Sequence, residues 1–149
     1  MKIIFATNNP NKLAEIRNSL GSDFELISLA EAGFEGEIPE TGRTLEANAL
    51  QKARYIFDRF KQPVFADDTG LEVECLKGLP GVDTAHYSGK RDAHANMQKL
   101  LHEMAGCEDR SAAFKTVIAY VTPEEQKLFS GVVDGRIAAE KRGGEGFGY

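Results

Sequence analysis

Short apolar runs alternate with stretches of helical period along this chain. Lys2–Ala6 (KIIFA) reads as a buried strand. Leu13, Ile16 and Leu20 recur at helical spacing, and Gly21 supplies a stop. Glu25–Leu29 reads as a second strand, and residues 33–43 (GFEGEIPETGR) are loop by composition. Thr44 is placed to cap a long helix to about Lys61, with Leu45, Ala49, Ala53, Phe57 and Phe60 on its inner face and Pro63 beyond it. "PVFADD" is then an apolar strand running into polar residues, and "LEVEC" alternates like a further strand. Asp92 caps a helix to about Ala105, with Met97, Leu100, Leu101 and Met104 facing inward. "AAFKTVIAYV" and "KLFSGVVDGRIAAE" are two strand-like runs joined at "TPEEQ", a hairpin turn. Strands mixed with helices and one hairpin predict an α/β chain with a mixed central sheet and flanking helices.

The 149 residues suit one domain spanning 1–149, and 42% hydrophobic residues are enough for a core. A formal net charge of −5 argues against a nucleic-acid partner, which calls for a basic face. Four apolar residues after Lys2 are too few for a signal peptide, and no run approaches membrane-spanning length. The expectation is therefore a cytoplasmic protein with no membrane partner. Cys75 and Cys107 lack metal-site or redox-motif spacing, so two free thiols in a reducing compartment are expected.

Two stretches carry candidate chemistry. "TNNPNK", Thr7 to Lys12, lies between a strand and a helix, where α/β proteins bind anions on outward helix amides. Thr7, Asn8, Asn9 and Asn11 add polar groups, Pro10 holds the loop and Lys12 adds a charge. A cation at a helix start opposes the helix dipole, and a docked polyphosphate would reverse that penalty. The alternative is an Asn-rich helix cap with Lys12 pointing into water. The loop is neither a P-loop nor a dinucleotide loop.

The second stretch is the Asp67-Asp68 pair closing an apolar strand. Neighbouring strand residues face opposite ways, so the pair shares one site only if the chain bends, which Gly70 permits. Paired carboxylates there call for a cation, and magnesium takes one or two carboxylates with phosphate oxygens and water. A nearby carboxylate could accept a proton from attacking water. A turn with solvated charges is the other reading. Thr44, Asn48 and Lys52 recur every fourth residue, a stripe that either reaches a phosphate tail or is an ordinary solvated face.

Taken together, "TNNPNK", "ETGRTLEANALQKA", "ADDTGLEV", "LPGVDTAHYSG" and "GEGFGY" resemble the inosine triphosphate pyrophosphatase family, in its order and approximate spacing from residue 3 to 149. The resemblance implies a magnesium-dependent hydrolase acting on purine nucleoside triphosphates. It would split ITP, dITP or XTP into monophosphate and pyrophosphate. It implies an α/β fold of two lobes around a nucleotide cleft, assembled as a homodimer. Carried over residue by residue, Thr7 to Lys12 and Lys52 bind phosphates, and Glu40, Asp67 and Asp68 hold magnesium. Asp68 is the proton acceptor, Thr69 touches substrate, and Phe147, Gly148 and Tyr149 lie against the base.

Three positions depart from the family pattern. Ala47 stands where a glutamate is frequent. His86 stands where many bacterial members have arginine. The family continues past "GFGY" with an aspartate-proline pair, a lysine and a serine-histidine-arginine motif, whereas this sequence ends at Tyr149. A chain ending there is expected to turn over slowly and to separate ITP from GTP poorly. A Maf-type nucleotide pyrophosphatase and an inactive nucleotide-binding remnant are the competing readings.

Overall fold

The computed structural model describes residues 1–142. It is a mixed α/β structure, as the apolar pattern predicts. In chain order the elements are β1 (Lys2–Phe5), α1 (Pro10–Ser19), β2 (Glu25–Ile27), α2 (Leu29–Ala32), α3 (Leu45–Phe60), β3 (Val64–Val73), β4 (Pro80–Gly81), α4 (Ala93–Glu103), β5 (Ser111–Val121) and β6 (Gln126–Arg136). The sheet order is β2-β1-β3-β5-β6, with β4 on β3. β1 pairs in parallel with β2 and β3, and β4 pairs with β3 antiparallel. β5 and β6 are neighbours joined through Thr122–Glu125, closed by Thr122 N–H donating to the Glu125 carbonyl at 2.9 Å. So short a link demands an antiparallel hairpin.

The chain divides into two compact units. Met1–Asp68 and Val117–Phe129 form the first, Thr69–Thr116 and residues from Ser130 on the second, so the boundary falls inside β3 between Asp68 and Thr69. In the first unit Ile3, Phe5 and Leu26 are buried, with Leu13, Ile16 and Leu20 of α1 packed against them. Phe5 and Phe65 share a register position and stack with centroids 4.4 Å apart. α3 buries Leu45, Ala49, Ala53 and Ile56. Its inner face therefore ends on Ile56, not on the expected Phe57 and Phe60, which are only partly covered. The second unit has its own core of Leu71, Val73, Tyr87, Leu100, Met104 and Ala112.

Three expectations are corrected. The second strand stops at Ile27, because Ser28 caps α2 with a full capping box to Glu31. "PVFADD" and "LEVEC" are one ten-residue strand, β3. Gly70 is not among the positive-φ glycines, and Thr69, a β-branched residue, favours extended backbone.

The third correction concerns the cysteines. Cys75 and Cys107 are joined in a disulfide, with Cα atoms 6.3 Å apart, where free thiols were expected. The sulfurs lie 32 residues apart in sequence, so spacing alone could not pair them; packing of both on the second unit's core does. By loop-closure entropy, cross-linking a loop of this length constrains the unfolded chain by about 3–4 kcal/mol. Reductant is expected to lower the melting temperature by on the order of 10 °C. The double variant Cys75→Ser/Cys107→Ser should melt at the lower temperature with or without reductant. Identical melting of the parent chain in both conditions would show that the bridge contributes nothing.

Candidate active site

Asn9 controls the start of α1. Its side chain accepts from the N–H groups of Asn11 (2.9 Å) and Lys12 (3.3 Å), and its carbonyl accepts from Leu13 N–H. Pro10, the first helical residue, has no N–H. The four orphan donors of the helix start are thus accounted for within the chain. Thr7 Oγ1 accepts from Asn9 N–H at 3.1 Å, and Asn8 Nδ2 donates to the Gly36 carbonyl at 3.1 Å. The loop that was read as either an anion site or a cap is, in this state, a cap. Asn11 is exposed at its edge.

Lys12 has a negative partner inside the protein. Its Nζ lies 2.6 Å from Asp67 Oδ2, with both side chains largely covered. β3 thereby brings a carboxylate to the cation at the helix start. Asp67 is thus held from α1, while the Lys52, Glu40 and Lys12 charges all act on its neighbour Asp68.

Asp68 is gripped from α3. The positive charge of Lys52 and the polar amide of Asn48 both favour its ionised form. Burial nevertheless dominates and pushes the Asp68 carboxyl up to about 6; the Lys52 charge opposes this, the negative charge of Glu40 adds to it, and the Asn48 amide and Lys12 pull it back. Glu40 sits in the loop before α3, and its Oε1 is 2.7 Å from Lys52 Nζ. The first unit therefore gathers two lysines and three carboxylates. Thr69 lies beyond the unit boundary and shares a hydrogen bond with Thr116 at 2.9 Å. Phe147, Gly148 and Tyr149 lie outside the described residues. His86 is exposed in a 3₁₀ turn, Thr84–His86.

Among the described residues, no three Asp, Glu, His or Cys side chains stand as a ready metal cluster. Two oxygens argue that a cation fits all the same. Asp67 Oδ1 and Asp68 Oδ2 are buried and have no hydrogen-bond partner among the described residues. Buried carboxylate oxygens without a donor are costly, and a divalent cation with its waters would satisfy them. Glu40, Asp67 and Asp68 carry one more charge than Lys12 and Lys52 neutralise, which disfavours a bare polyanion and favours one arriving with a cation.

Asn48 lies on the stripe read either as reaching a phosphate tail or as an ordinary solvated face. In the structure it is buried, and its Oδ1 accepts from Gly42 N–H at 2.7 Å. Sequence reasoning passed over Gln51, which accepts from Thr41 N–H at 2.8 Å and donates to Thr41 Oγ1 at 3.0 Å. The glycine in "ETG" was the available signal, since a glycine ahead of a helix marks a close backbone approach.

The family model for the Ham1 family matches residues 3–149. The dITP/XTP pyrophosphatase of Porphyromonas gingivalis (strain ATCC BAA-308 / W83) is 49% identical over 150 residues, covering 99% of this chain and 77% of that protein. The dITP/XTP pyrophosphatase of Bacillus subtilis (strain 168) is 44% identical over 98% of this chain and 76% of its own length. Among solved structures, the Staphylococcus aureus Ham1 protein superposes with a TM-score of 0.89 at 38% identity, over 100% of this chain and 78% of that one. A HAM1 protein from Coxiella burnetii gives a TM-score of 0.90 at 36% identity, over 100% of this chain and 79% of that one.

Proposed function

The chain belongs to the Ham1 family, and from that premise we propose that it hydrolyses non-standard purine nucleoside triphosphates (dITP, XTP, ITP) to monophosphate and pyrophosphate. The observation that carries the reading is Asp68: a half-buried carboxylate with one unpartnered oxygen, raised in basicity and bracketed by Asn48, Lys52 and Glu40. Such a group is mostly ionised at neutral pH and is a stronger base than a solvated aspartate. Near-identity in name among relatives of 44–49% identity supports the substrate class.

Asp68 accepts a proton from the attacking water. The water oxygen bonds to phosphorus, the bridging bond between the α and β phosphates breaks, and pyrophosphate leaves with the electron pair. Glu40, Asp67 and Asp68 would hold Mg²⁺, which when bound supplies charge stabilisation for the leaving phosphates. With those carboxylates compensated, Lys12 and Lys52 exchange their partners for phosphate oxygens, and Asn8 and Asn11 line the same edge. Thr7, Asn9 and Pro10 shape that edge from behind. Thr69 would touch substrate, and Phe147, Gly148 and Tyr149 would flank the base, as the resemblance implies. Residues 1–149 would act as a single catalytic domain with two units, in the cytoplasm where the nucleotide pool lies. The exposed strand β6 supports the implied homodimer; light scattering would measure it.

Pyrophosphate release from dITP, XTP, ITP, GTP and ATP, with and without Mg²⁺, tests the reading. Release from the 6-oxo purines that depends on Mg²⁺ is expected, with ATP rejected, since a site built on hydrogen bonds discards a mismatched exocyclic group strongly. Equal rates on ATP and ITP would refute it, and preference for pyrimidine substrates would favour the Maf-type reading. Nucleotide binding without release would identify an inactive remnant.

A further inference from the structure

We infer that Thr116 is a positioning residue: its hydroxyl donates to Thr69 Oγ1 and so turns the proton of Thr69 outward, to the phosphate oxygens of the substrate. This rests on the hydrolase reading above, in which Thr69 touches substrate. The two hydroxyl oxygens lie 2.9 Å apart, an ordinary hydrogen bond, although the residues are 47 positions apart in sequence. Both belong to the second unit, Thr69 on β3 and Thr116 on β5, and those strands are neighbours in the sheet. Threonine is β-branched and stiff about its first side-chain torsion, so the two strands fix where each oxygen sits. What is left to choose is which way the protons point.

An anion decides that choice. The pair carries two O–H donors, and the bond between them uses one. The other proton leaves from whichever hydroxyl accepts within the pair. An ionised phosphate oxygen only accepts, so a Thr69 that touches it must donate. Thr69 is then the acceptor inside the pair, and Thr116 is the donor. Without the Thr116 hydroxyl the Thr69 proton rotates among its staggered positions, whereas a donor already aimed needs no reorientation when charge arrives. The burial pattern keeps the pair within reach of a ligand. Asp68 and Thr69 are two consecutive partly covered residues in a strand that alternates with buried positions at both ends. On β5, Val117, Ala119 and Val121 are buried, whereas Thr116, Ile118 and Tyr120 on the opposite face are only partly covered.

The test compares kcat/KM for dITP with Mg²⁺ in Thr116→Val, Thr116→Ser, Thr69→Val and the double variant Thr69→Val/Thr116→Val, with a melting curve for each. Valine keeps the shape and the strand preference and removes only the hydroxyl. Thr116→Val is expected to lower kcat/KM about tenfold, the loss of one directed hydrogen bond. Thr116→Ser keeps the donor and should stay within about threefold of the parent. In the double variant the two losses should not add, because both changes break the same relay. Thr116→Ala carries the same readout if the valine variant does not melt cooperatively. A pair that only braces the two strands would shift the melting temperature and leave kcat/KM of Thr116→Val at the parent's value, which overturns the inference. Equal losses in Thr116→Val and Thr116→Ser, or additive losses in the double variant, overturn it too. Failure of the hydrolase reading looks different: the parent chain would then release no pyrophosphate from any purine triphosphate, and the inference would fall with it.

Discussion

Asp68→Asn is expected to abolish turnover while making the ligand-free protein more stable at neutral pH. The activity loss follows from two roles of one carboxylate: Asn cannot accept the proton from water, and it offers a cation no charge. Loss of a general base alone costs 10²–10⁴-fold, so at least about a thousandfold is expected, or roughly 4 kcal/mol of barrier. Retention of more than about a tenth of kcat, under ~1.4 kcal/mol, would remove Asp68 from the mechanism.

The stability gain follows from burial, which raises the Asp68 carboxyl from its ordinary value to about 6. The folded protein then binds the proton more tightly than the unfolded chain does. On account of this group, stability is greatest below the unfolded value and falls as pH rises towards about 6, after which the penalty is constant. Glu31, Asp92 and Asp109 are held below the ordinary range and act in the opposite sense, but they are exposed and common to both proteins. The difference in melting temperature between Asp68→Asn and the parent should therefore open between pH 4 and 6 and stay constant above. Mg²⁺ should narrow it by stabilising only the parent. A variant that melts at or below the parent at pH 7.5 without Mg²⁺ would show that Asp68 is adequately solvated.

Lys12→Ala is the second large effect, and two terms compete in it. Removing a cation from a helix start gains about 0.3–1 kcal/mol. Against this, Asp67 is buried, its Oδ1 is already unpartnered, and the substitution removes the 2.6 Å contact to Oδ2. Stranding one member of a buried pair costs about 3–5 kcal/mol. The pair is not wholly sealed, so a net loss of about 2–3 kcal/mol is expected, or roughly 5–10 °C in melting temperature for a chain of this size. Asp67→Asn added to Lys12→Ala should recover much of the loss, because no charge is then left unpaired. Triphosphate binding should weaken more than monophosphate binding in Lys12→Ala. A single variant as stable as the parent would show that Lys12 is held ready for substrate and not by Asp67.

Much of this protein was legible along the chain because the relevant forces are local. Thr44 and Asp92 cap α3 and α4 as read, since capping needs only a side-chain oxygen and the amides of the next turn. The alternating and helical periods reported the mixed sheet, and the motif order pointed to the family. Asp67 and Asp68 stood out because charged residues directly after an apolar run are unusual, although β3 carries on past them to Val73.

What the sequence could not decide was which polar groups meet. Asn9 looked equally like a ligand and a cap, and the capped state emerged only when its oxygen was found on two helix amides. Lys12 and Asp67 lie 55 residues apart, on a helix and a strand; no period links them. Cys75 and Cys107 meet because both pack on one core, not because of their spacing. Periodicity records which face of an element is apolar, whereas an ion pair or a shared amide depends on where two such faces are brought together, and that is set by the packing of the whole chain.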